Sequence, residues 1–483
     1  MNSYIMLIVV LFPIIASTLI PLFKNKSKKS MQIFVFTTVL INSILVFFML
    51  GSDLTEQFTI MQFTGDLSIV FKMDGLTKVF AGLVSFLWPF ATLYAFEYMH
   101  HDKNQTIFFM FYTMTYGITL GISLASNIIT LYFFYELLTL VTLPLVMHTL
   151  TKEAIYASRS YLYYSLGGAA FAFIGVVFII IFGGGDFVFG GNVNATNQSL
   201  ELIVYLLTFL GFGVKAAIFP FNAWLPKAGV APTPVTALLH AVAVVKAGAF
   251  AIMRLTFYCF KTEDIKGTWA QNVLMIIIIF TIVYGCSRAL KETHFKRRLA
   301  YSTISNLSYI LFGVILMTPL GFVGALAHMI VHAFVKITSF FCAGAVIHTT
   351  EKEYIHQLNG LGRKMPITFA VFTVSALALM GVPGLAGFIS KWYLAFAATA
   401  TQTPLAYVGI GAILISALLT AIYMITIVIR AFFEKDEANA FENAKDPTYK
   451  MLLPLCVFTV VIVYLGINSN SLINFFESVA HLN

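Results

Sequence analysis

The chain has 483 residues, of which 59% are apolar or aromatic and only 10% are charged. Soluble domains carry roughly a quarter of charged residues, so this composition excludes a soluble globular protein. At roughly 20 apolar residues per membrane-spanning helix, the length suffices for a dozen or more spans and leaves little for a soluble catalytic domain. We attribute the formal net charge of +8 to basic cytoplasmic loops and exclude nucleic acid as a partner.

The first apolar run precedes a group of lysines and is long enough to span, so we expect a retained helix and no cleaved signal peptide. Apolar runs separated by polar breaks predict fourteen spanning helices in one polytopic membrane domain, residues 1–483. The predicted helices cover residues 2–23, 31–50, 75–97, 106–124, 127–150, 160–183, 200–228, 232–258, 269–287, 299–317, 320–348, 367–398, 404–430 and 450–468. The four widely separated cysteines are expected to be packed thiols: Cys259, Cys286, Cys342 and Cys456.

The basic residues alternate strongly between the two sides of the predicted membrane domain. Of 29 lysines and arginines, 20 fall in loops on one side, including Lys26, Lys296 and Arg298, and three fall on the other. Because basic loops remain in the cytoplasm, this asymmetry predicts a multi-pass cell-membrane protein with both termini outside. The remaining six lie within predicted helices: Lys78, Lys215, Lys246, Arg254, Lys336 and Lys391.

Basic residues inside spans need a reason, because a lysine at the bilayer centre costs about 2.5 to 3.5 kcal/mol on insertion scales. Lys78 and Arg254 lie within a turn or two of a helix end, so we expect them to reach the interface as anchors. The deeper lysines are expected to act in transport, with structural ion pairing as the alternative: Lys215, Lys246, Lys336 and Lys391.

Glu136 is the only carboxylate deep in a predicted span. We expect Lys215 to be its partner, since unlike charges about 4 Å apart attract by about 4 kcal/mol at an effective dielectric near 20. Closing the pair would keep both groups charged, whereas opening it would leave a desolvated lysine that releases its proton. The pair is therefore a candidate proton-transfer element.

His328, His332 and Lys336 are spaced i, i+4 and i+8 on one predicted helix. Successive groups on this face lie about 6 Å apart, a gap that one water can bridge, so the spacing predicts a proton ladder. Individually packed histidines and a zinc site are the alternatives, although no third metal ligand is evident and we expect no metal. His240 is a further candidate because it precedes Lys246 on the same helix.

Two predicted helices, the seventh and the twelfth, are interrupted beside a buried lysine. Broken helices at membrane depth are tolerated where they line a hydrated cavity, although either break alone is also compatible with a kinked packing helix. The interruptions follow Lys215 in the seventh helix and precede Lys391 in the twelfth, and are formed by Pro220, Pro226, Pro383, Gly384 and Gly387.

The interrupted helices are five spans apart, so equivalent helices would run in opposite directions. This layout predicts two inverted five-helix repeats, spans 4–8 (residues 106–258) and spans 9–13 (residues 269–430). Each repeat would contain one broken helix and one intact neighbour that carries a lysine, Lys246 in the first repeat and Lys336 in the second.

Five long motifs identify a family resemblance that covers nearly the whole chain. They are Phe219-Pro-Phe-Asn-Ala-Trp-Leu-Pro-Lys-Ala, Ala231-Pro-Thr-Pro-Val-Thr-Ala-Leu-Leu-His240, Tyr301-Ser-Thr-Ile-Ser-Asn-Leu-Ser-Tyr, His332-Ala-Phe-Val-Lys336 and Gly381-Val-Pro-Gly-Leu-Ala-Gly-Phe-Ile-Ser-Lys391. The sequence resembles the antiporter-like proton-translocating subunits of respiratory complex I, Mrp cation/proton antiporters and membrane-bound hydrogenases. That resemblance implies fourteen helices in two inverted repeats and a hydrated midplane chain of charges.

The resemblance also implies a role for each buried charged residue. Glu136 and Lys215 match the family's helix-five and helix-seven pair, and Lys246 matches its relay residue. Lys336, with His328 and His332, matches the central connection, and Lys391 matches the terminal lysine that faces the outer channel. A lysine at that last position argues against one complex I branch, and the surroundings of Lys246 favour the Mrp and hydrogenase branch.

The expected function is proton translocation within a multisubunit membrane complex, along a chain of side chains and water. The coupling is either to Na⁺/H⁺ exchange or to redox chemistry in partner membrane subunits, which leaves open whether the whole complex is an oxidoreductase. We expect no cofactor and no catalytic residue in this chain. The alternatives are a self-contained transporter for a small solute and a non-conducting scaffold.

Overall fold

A computed structural model of the chain describes residues 3–24, 27–52, 54, 56–64, 67–435, 441 and 444–482. Asn2 and Lys26, which belong to the first predicted span and to the basic loops, lie outside these residues. The described structure is predominantly helical, as predicted. Its helices are α1 Tyr4–Leu19, α2 Lys28–Leu50, α3 Gly75–Tyr98, α4 Gln105–Leu124, α5 Ile128–Val146, α6 Lys152–Gly183, α7 Gln198–Gly213, α8 Trp224–Lys227, α9 Thr233–Ala241, α10 Val244–Arg254, α11 Thr262–Ile265, α12 Trp269–Lys291, α13 Phe295–Ile315, α14 Pro319–Thr350, α15 Pro366–Met380, α16 Ala386–Thr401, α17 Pro404–Phe432, α18 Tyr449–Ile467 and α19 Asn470–Val479.

The membrane character of the fold is carried by long apolar helices. Eleven candidate spans within the described ranges are long and apolar enough to cross a membrane, and α7 and α15 are shorter apolar helices. Both short helices end where the sequence predicts an interruption. The structure therefore confirms a many-helix membrane fold, whereas the count of fourteen spans stays a prediction.

A β-hairpin and a C-terminal helix were not anticipated. Strand β1, Phe58–Thr64, pairs antiparallel with β2, Leu67–Phe71, between α2 and α3. The chain then passes to Asp74, whose carboxylate caps α3 by accepting a hydrogen bond from the Thr77 amide at 2.8 Å. At the other end of the chain, α19 is only ten residues long, which is too short for a span.

The most buried helices lie at the centre of the bundle. The α9–α10 segment is buried throughout, and α14 nearly so. Helix α14 contacts α3, α9, α13, α15, α16 and α18, whereas α1, α2, α6 and α17 expose large apolar side chains on their outer faces. Such outer faces suit contact with lipid. The interior consequently contains the buried histidines and lysines of α9, α10 and α14, which are His240, Lys246, His328, His332 and Lys336.

Both interruptions predicted from the sequence are present. The first separates α7 from α8, and there the Trp224 indole N–H donates to the Val214 carbonyl at 2.8 Å. The second separates α15 from α16, where Gly381 adopts a left-handed conformation with φ of 92°. Glycine favours this conformation because it has no Cβ. The indole of Trp224 satisfies a backbone carbonyl where α7 ends. The left-handed Gly381 lets its amide bond to carbonyls of the last turn of α15.

A third interruption contradicts the expectation of an intact helix around Lys246. Helix α9 ends at Ala241 and α10 begins at Val244, so the lysine lies in the first turn of a new helix. The Ala243 amide bonds to the Leu238 carbonyl, five residues back, at 2.8 Å. This wider turn departs from the four-residue α-helical pattern. In the second predicted repeat, α14 is continuous through Lys336, as expected.

Candidate functional site

The eight candidate residues named from the sequence are here called the polar row. They lie on helices or breaks of the interior, and six of them are almost completely inaccessible: Lys215, His240, Lys246, His328, His332 and Lys336. Glu136 and Lys391, near the two ends of the row, are partly exposed. The row therefore consists of charged and polar groups placed where an unpaired charge is costly.

The expected contact between Glu136 and Lys215 is present. The ammonium Nζ lies 3.8 Å from Glu136 Oε1 and 3.3 Å from the centroid of the Tyr135 ring. The same Nζ donates a hydrogen bond to the backbone carbonyl of Tyr135. Lys215 thus interacts with a carboxylate, a carbonyl and an aromatic face, all from one turn of α5.

The position of Lys215 depends on the first break and on close packing by α10. The residue follows the last turn of α7, where the chain leaves helical geometry. Gly248 of α10 lies against this segment, and a Cβ added there would come within 2.6 Å of the Ala216 backbone nitrogen. A side chain larger than hydrogen would push α10 away, so glycine keeps the lysine-bearing break next to α10.

Lys246 pairs with a histidine from the other predicted repeat. Its Nζ lies 2.7 Å from Nδ1 of His332 on α14. A protonated lysine is a donor only, so with an ammonium at this position His332 accepts at Nδ1 and carries its proton on Nε2. This contact joins α10 to α14 and was not anticipated from the sequence.

His328 connects the centre of the row to its second end. Its Nδ1 lies 2.9 Å from the Ser390 hydroxyl, and its ring centroid is 5.9 Å from that of His332. Tyr309 stands between His328, at a ring distance of 5.1 Å, and the Lys391 ammonium, 5.6 Å from the tyrosine centroid. The separation of the two histidine rings matches the spacing of about 6 Å expected from the sequence, whereas their role as a proton ladder stays a prediction.

Lys391 is held by the end of the helix before it. Its Nζ donates to the Leu379 and Met380 carbonyls at 2.7 and 2.8 Å. These carbonyls belong to the last turn of α15, whose C-terminal groups lack intrahelical donors. The helix break thus supplies the hydrogen-bond acceptors of this partly buried ammonium, which explains why the break and the lysine occur together.

Lys336 points away from the ladder that its spacing predicts. Its Nζ donates to the Leu299 carbonyl at 3.0 Å and to the Ser302 hydroxyl, both on α13. His240, on α9, stacks near Phe340 at 4.8 Å between ring centroids, and neither of its ring nitrogens has a hydrogen-bond partner among the described residues. The side chains of α14 therefore diverge, the histidines towards α10 and α16 and the lysine towards α13.

Arg254, expected as an interface anchor, is instead buried in an ion pair, so that expectation was wrong. Its guanidinium binds both carboxylate oxygens of Asp74 and the Thr77 hydroxyl, with NH2 to Oδ1 at 2.8 Å. The Tyr258 ring lies 4.5 Å from the guanidinium carbon. Asp74 lies at the cap of α3, just before a predicted span. Nothing in the sequence marked it as the partner of Arg254.

Lys296 was counted among the basic loop residues, but it is buried in the first turn of α13. Its Nζ donates to the Ala231 carbonyl at 3.1 Å. A cavity of about 750 Å³ lies beside it, at the face of the basic loops and next to the first break. The basic run Lys296-Arg297-Arg298 hid this residue, since a run of charges usually indicates a solvated loop.

Comparison with known protein families gives two matches to this chain. The family described as NADH:quinone oxidoreductase/Mrp antiporter, TM, matches residues 125–420, which contain the whole polar row. The family described as NADH-Ubiquinone oxidoreductase (complex I), chain 5 N-terminus, matches residues 61–109.

Individual relatives agree with the family matches. NAD(P)H-quinone oxidoreductase chain 4 2 of Trichodesmium erythraeum (strain IMS101) is 28% identical over 89% of this chain and 78% of that protein. NAD(P)H-quinone oxidoreductase chain 4-2 of Synechocystis sp. (strain ATCC 27184 / PCC 6803 / Kazusa) is 27% identical over 87% of this chain and 77% of that protein.

Solved structures share the fold. A chain of the membrane-bound sulfane sulfur reductase, an archaeal respiratory membrane complex, superposes with a TM-score of 0.87 at 22% identity, covering 99% of this chain and 97% of that one. A chain of the Mrp complex from Dietzia sp. DQ12-45-1b gives the same TM-score and identity, with 98% of this chain but only 51% of that chain covered.

Proposed function

Because the chain belongs to the NADH:quinone oxidoreductase/Mrp antiporter transmembrane family, we propose that it is a proton-translocating, antiporter-like subunit of a multisubunit membrane complex. The observation that carries the proposal is the polar row itself. In it a lysine–glutamate contact on one side and a lysine–histidine contact at the centre lie within the helical bundle. Protons move along this row through side chains and water.

The Lys215–Glu136 contact supplies an energetic lever of sufficient size. At 3.8 Å the attraction is about 4 kcal/mol at an effective dielectric near 20. Moving one charge against 100 mV costs about 2.3 kcal/mol. Opening the contact therefore changes the free energy of the lysine proton by more than that potential requires, and the separated ammonium passes its proton on.

At the centre, the Lys246–His332 contact transfers protons without moving a helix. The ammonium of Lys246 gives a proton to Nδ1 of His332, and the ring releases its other proton from Nε2 towards His328. Each step breaks one N–H bond and forms another, so the net charge of the pair changes only as a proton enters or leaves. Water links the rings where they are about 6 Å apart.

The side of the membrane and the internal symmetry form part of the same proposal. The basic loops face the cytoplasm and both termini face outside, in a cell membrane, as the distribution of lysine and arginine indicates. Residues 106–258 and 269–430 form the two inverted repeats. In each repeat the helix break lies beside a lysine of the polar row. This arrangement supports one half-channel for proton entry and one for proton exit, on opposite sides of the membrane.

Partner subunits follow from the exposure of Glu136. Its side chain is 24% exposed near the middle of α5, where a carboxylate in lipid is unfavourable. The proteins similar to this chain include NAD(P)H-quinone oxidoreductase chain 4 proteins and chains of the membrane-bound sulfane sulfur reductase and Mrp complexes. Another membrane subunit therefore covers this position and couples the row to Na⁺/H⁺ exchange or to redox chemistry.

Lys215→Ala and Lys391→Ala test the proposed function directly. We expect either change to abolish proton uptake into membrane vesicles while the complex still assembles, because each removes a buried proton carrier. Lys364→Ala is the matched control, since Lys364 is an exposed lysine near the basic face. Normal uptake in either row variant would contradict the proposal, and lost thermal stability with unchanged flux would instead support the scaffold alternative.

A further inference from the structure

Lys296 differs from its immediate basic neighbour, Arg297, in the first turn of α13. Its side chain is only 6% exposed, whereas Arg297 is exposed. Its Nζ donates to the Ala231 carbonyl at 3.1 Å, and no described carboxylate lies within ion-pair distance of it. Burying a charged lysine without an ion pair leaves its desolvation cost uncompensated. A functional role would explain why the lysine is found there.

One side of Lys296 lies against the cavity on the face of the basic loops. This space of about 750 Å³ is lined by residues of α6, the first break and the start of α13, among them Asn222 and Pro226. The wall includes His294, whose Nε2 lies 3.4 Å from Glu353 Oε2. At roughly 30 Å³ per water, the cavity holds on the order of twenty waters. A space of this size can admit water as far as the buried lysine, and it is called the vestibule below.

The other side of Lys296 leads to His240. The Ala231 carbonyl that accepts from Lys296 also accepts from the Thr236 hydroxyl at 2.9 Å. Thr236 and His240 are four residues apart on α9, so their side chains lie on the same helical face. Both are buried, and the two ring nitrogens of His240 have no partner among the described residues. A buried imidazole without partners is costly, which favours a bridging water at this position.

A second connection follows α13 to Lys336. Lys296, Leu299 and Ser302 are spaced i, i+3 and i+6, so each neighbours the next along one inclined ridge of the helix. Lys336 donates to the Leu299 carbonyl and the Ser302 hydroxyl. Six residues correspond to about 9 Å along the helix axis. Lys296 therefore stands between the vestibule and two members of the polar row, His240 and Lys336.

We propose that Lys296 is a proton-loading site that takes protons from the vestibule and delivers them to His240 and Lys336. The inference rests on the proposed function and adds a residue to it. A neutral Lys296 amine accepts a proton from hydronium, forming an N–H bond and leaving water. The resulting ammonium passes a proton through water to a free nitrogen of His240. The imidazole releases its other proton to neutral Lys336.

Lys296→Gln and Lys296→Arg separate this role from a structural one. Both substitutes keep an N–H donor for the Ala231 carbonyl, but glutamine has no titrating proton and arginine does not release its own. We expect both variants of the assembled complex to lower initial proton uptake in vesicles at least about tenfold, since positioned proton transfer typically contributes on the order of 10² or more. Lys291→Gln, at an exposed lysine that does not line the cavity, should leave uptake unchanged.

The outcomes distinguish failure of this inference from failure of the proposed function. If Lys296→Arg or Lys296→Gln assembles and transports protons at the wild-type rate, Lys296 only fastens α13 to the segment before α9. In that case, loss of uptake in Lys215→Ala, measured beside it, leaves the proposed function standing. If one of the two variants does not assemble, transport by the other variant decides the question. Glutamine preserves the hydrogen bond with a neutral side chain, and arginine preserves it with a charged one.

Discussion

Individual residues decide where charge is tolerated in this interior. Each buried cation is met by a specific arrangement: Lys391 by the carbonyls at the end of α15, Lys246 by an imidazole, and Arg254 by a carboxylate. The first two arrangements are neutral and leave the lysine able to give up its proton. The Arg254 pair is ionic and doubly hydrogen-bonded, so it is structural. Under the proposed function, the two lysines carry transferable protons and the Arg254 pair is fixed.

Asp74→Asn should destabilise the protein without stopping proton transport. The change leaves the Arg254 guanidinium buried without a counter-charge, which typically costs about 3 kcal/mol or more. We expect a lower midpoint in thermal melts of the purified complex and near-normal uptake at temperatures where it remains folded. Asp74→Asn combined with Arg254→Met removes both partners and should recover much of the lost stability. Loss of transport at unchanged stability would place this pair in the proton route instead.

The same pair has a defined dependence on pH. Burial alone would raise the pKa of the Asp74 carboxyl, but the Arg254 guanidinium and the hydrogen bonds from Arg254 and Thr77 hold that pKa below its usual value. A lowered carboxyl pKa stabilises the folded state fully above the ordinary pKa of about 3.9, and this stabilisation is lost as pH falls further. The Asp74→Asn variant should therefore lose its disadvantage relative to wild type only in strong acid.

The sequence indicated which buried residues carry unusual charges better than it indicated which residues contact one another. Glu136 and Lys215 stood out because a carboxylate and a lysine deep in apolar runs are rare, and their contact is present at 3.8 Å. The partner of Lys246 could not be found this way, since His332 is 86 positions away and the contact depends on how α10 packs against α14. The roles of the polar row remain a proposal.

At the scale of elements, interruptions could be predicted where proline or glycine causes them. Pro220 and Gly384 mark the two breaks that the sequence indicated. The break at Val242–Ala243 has neither residue, and its Ala-Val-Ala-Val-Val sequence reads as a continuous apolar helix. Only tertiary packing distinguishes it. The hairpin of β1 and β2 was missed for a related reason, because two short strands between spans give a weak period-two signal.

Gly387→Ala should disturb the second break. A Cβ at this position would lie 1.7 Å from the Ala378 carbonyl oxygen, so α16 must move away from α15. The displacement withdraws Lys391 from the Leu379 and Met380 carbonyls. We expect a loss of about 1 to 3 kcal/mol of stability, the usual cost of overpacking, together with slower proton uptake. Gly411→Ala is the control, since nothing lies within 4 Å of a Cβ there; equal behaviour of the two variants would contradict the packing argument.

For the whole molecule, composition and family motifs were sufficient to predict a helical membrane subunit of this family. The family match and the structure confirm it, apart from the β-hairpin. The inverted repeats of residues 106–258 and 269–430 stay a prediction. The broken α9–α10 segment makes the two units less alike than the sequence layout implied, because its counterpart α14 is continuous. Lys246 is thereby placed at a helix start and Lys336 within a helix.

The central claim is that the interior cations and imidazoles are joined by water into one conducting path. An experimental structure of the assembled complex that resolves ordered waters measures this most directly. The account predicts waters within hydrogen-bonding distance of both ring nitrogens of His240 and of Nε2 of His328 and His332, connected to Lys246 and Lys336. Finding these four nitrogens enclosed by apolar side chains, with no water among them, would contradict it.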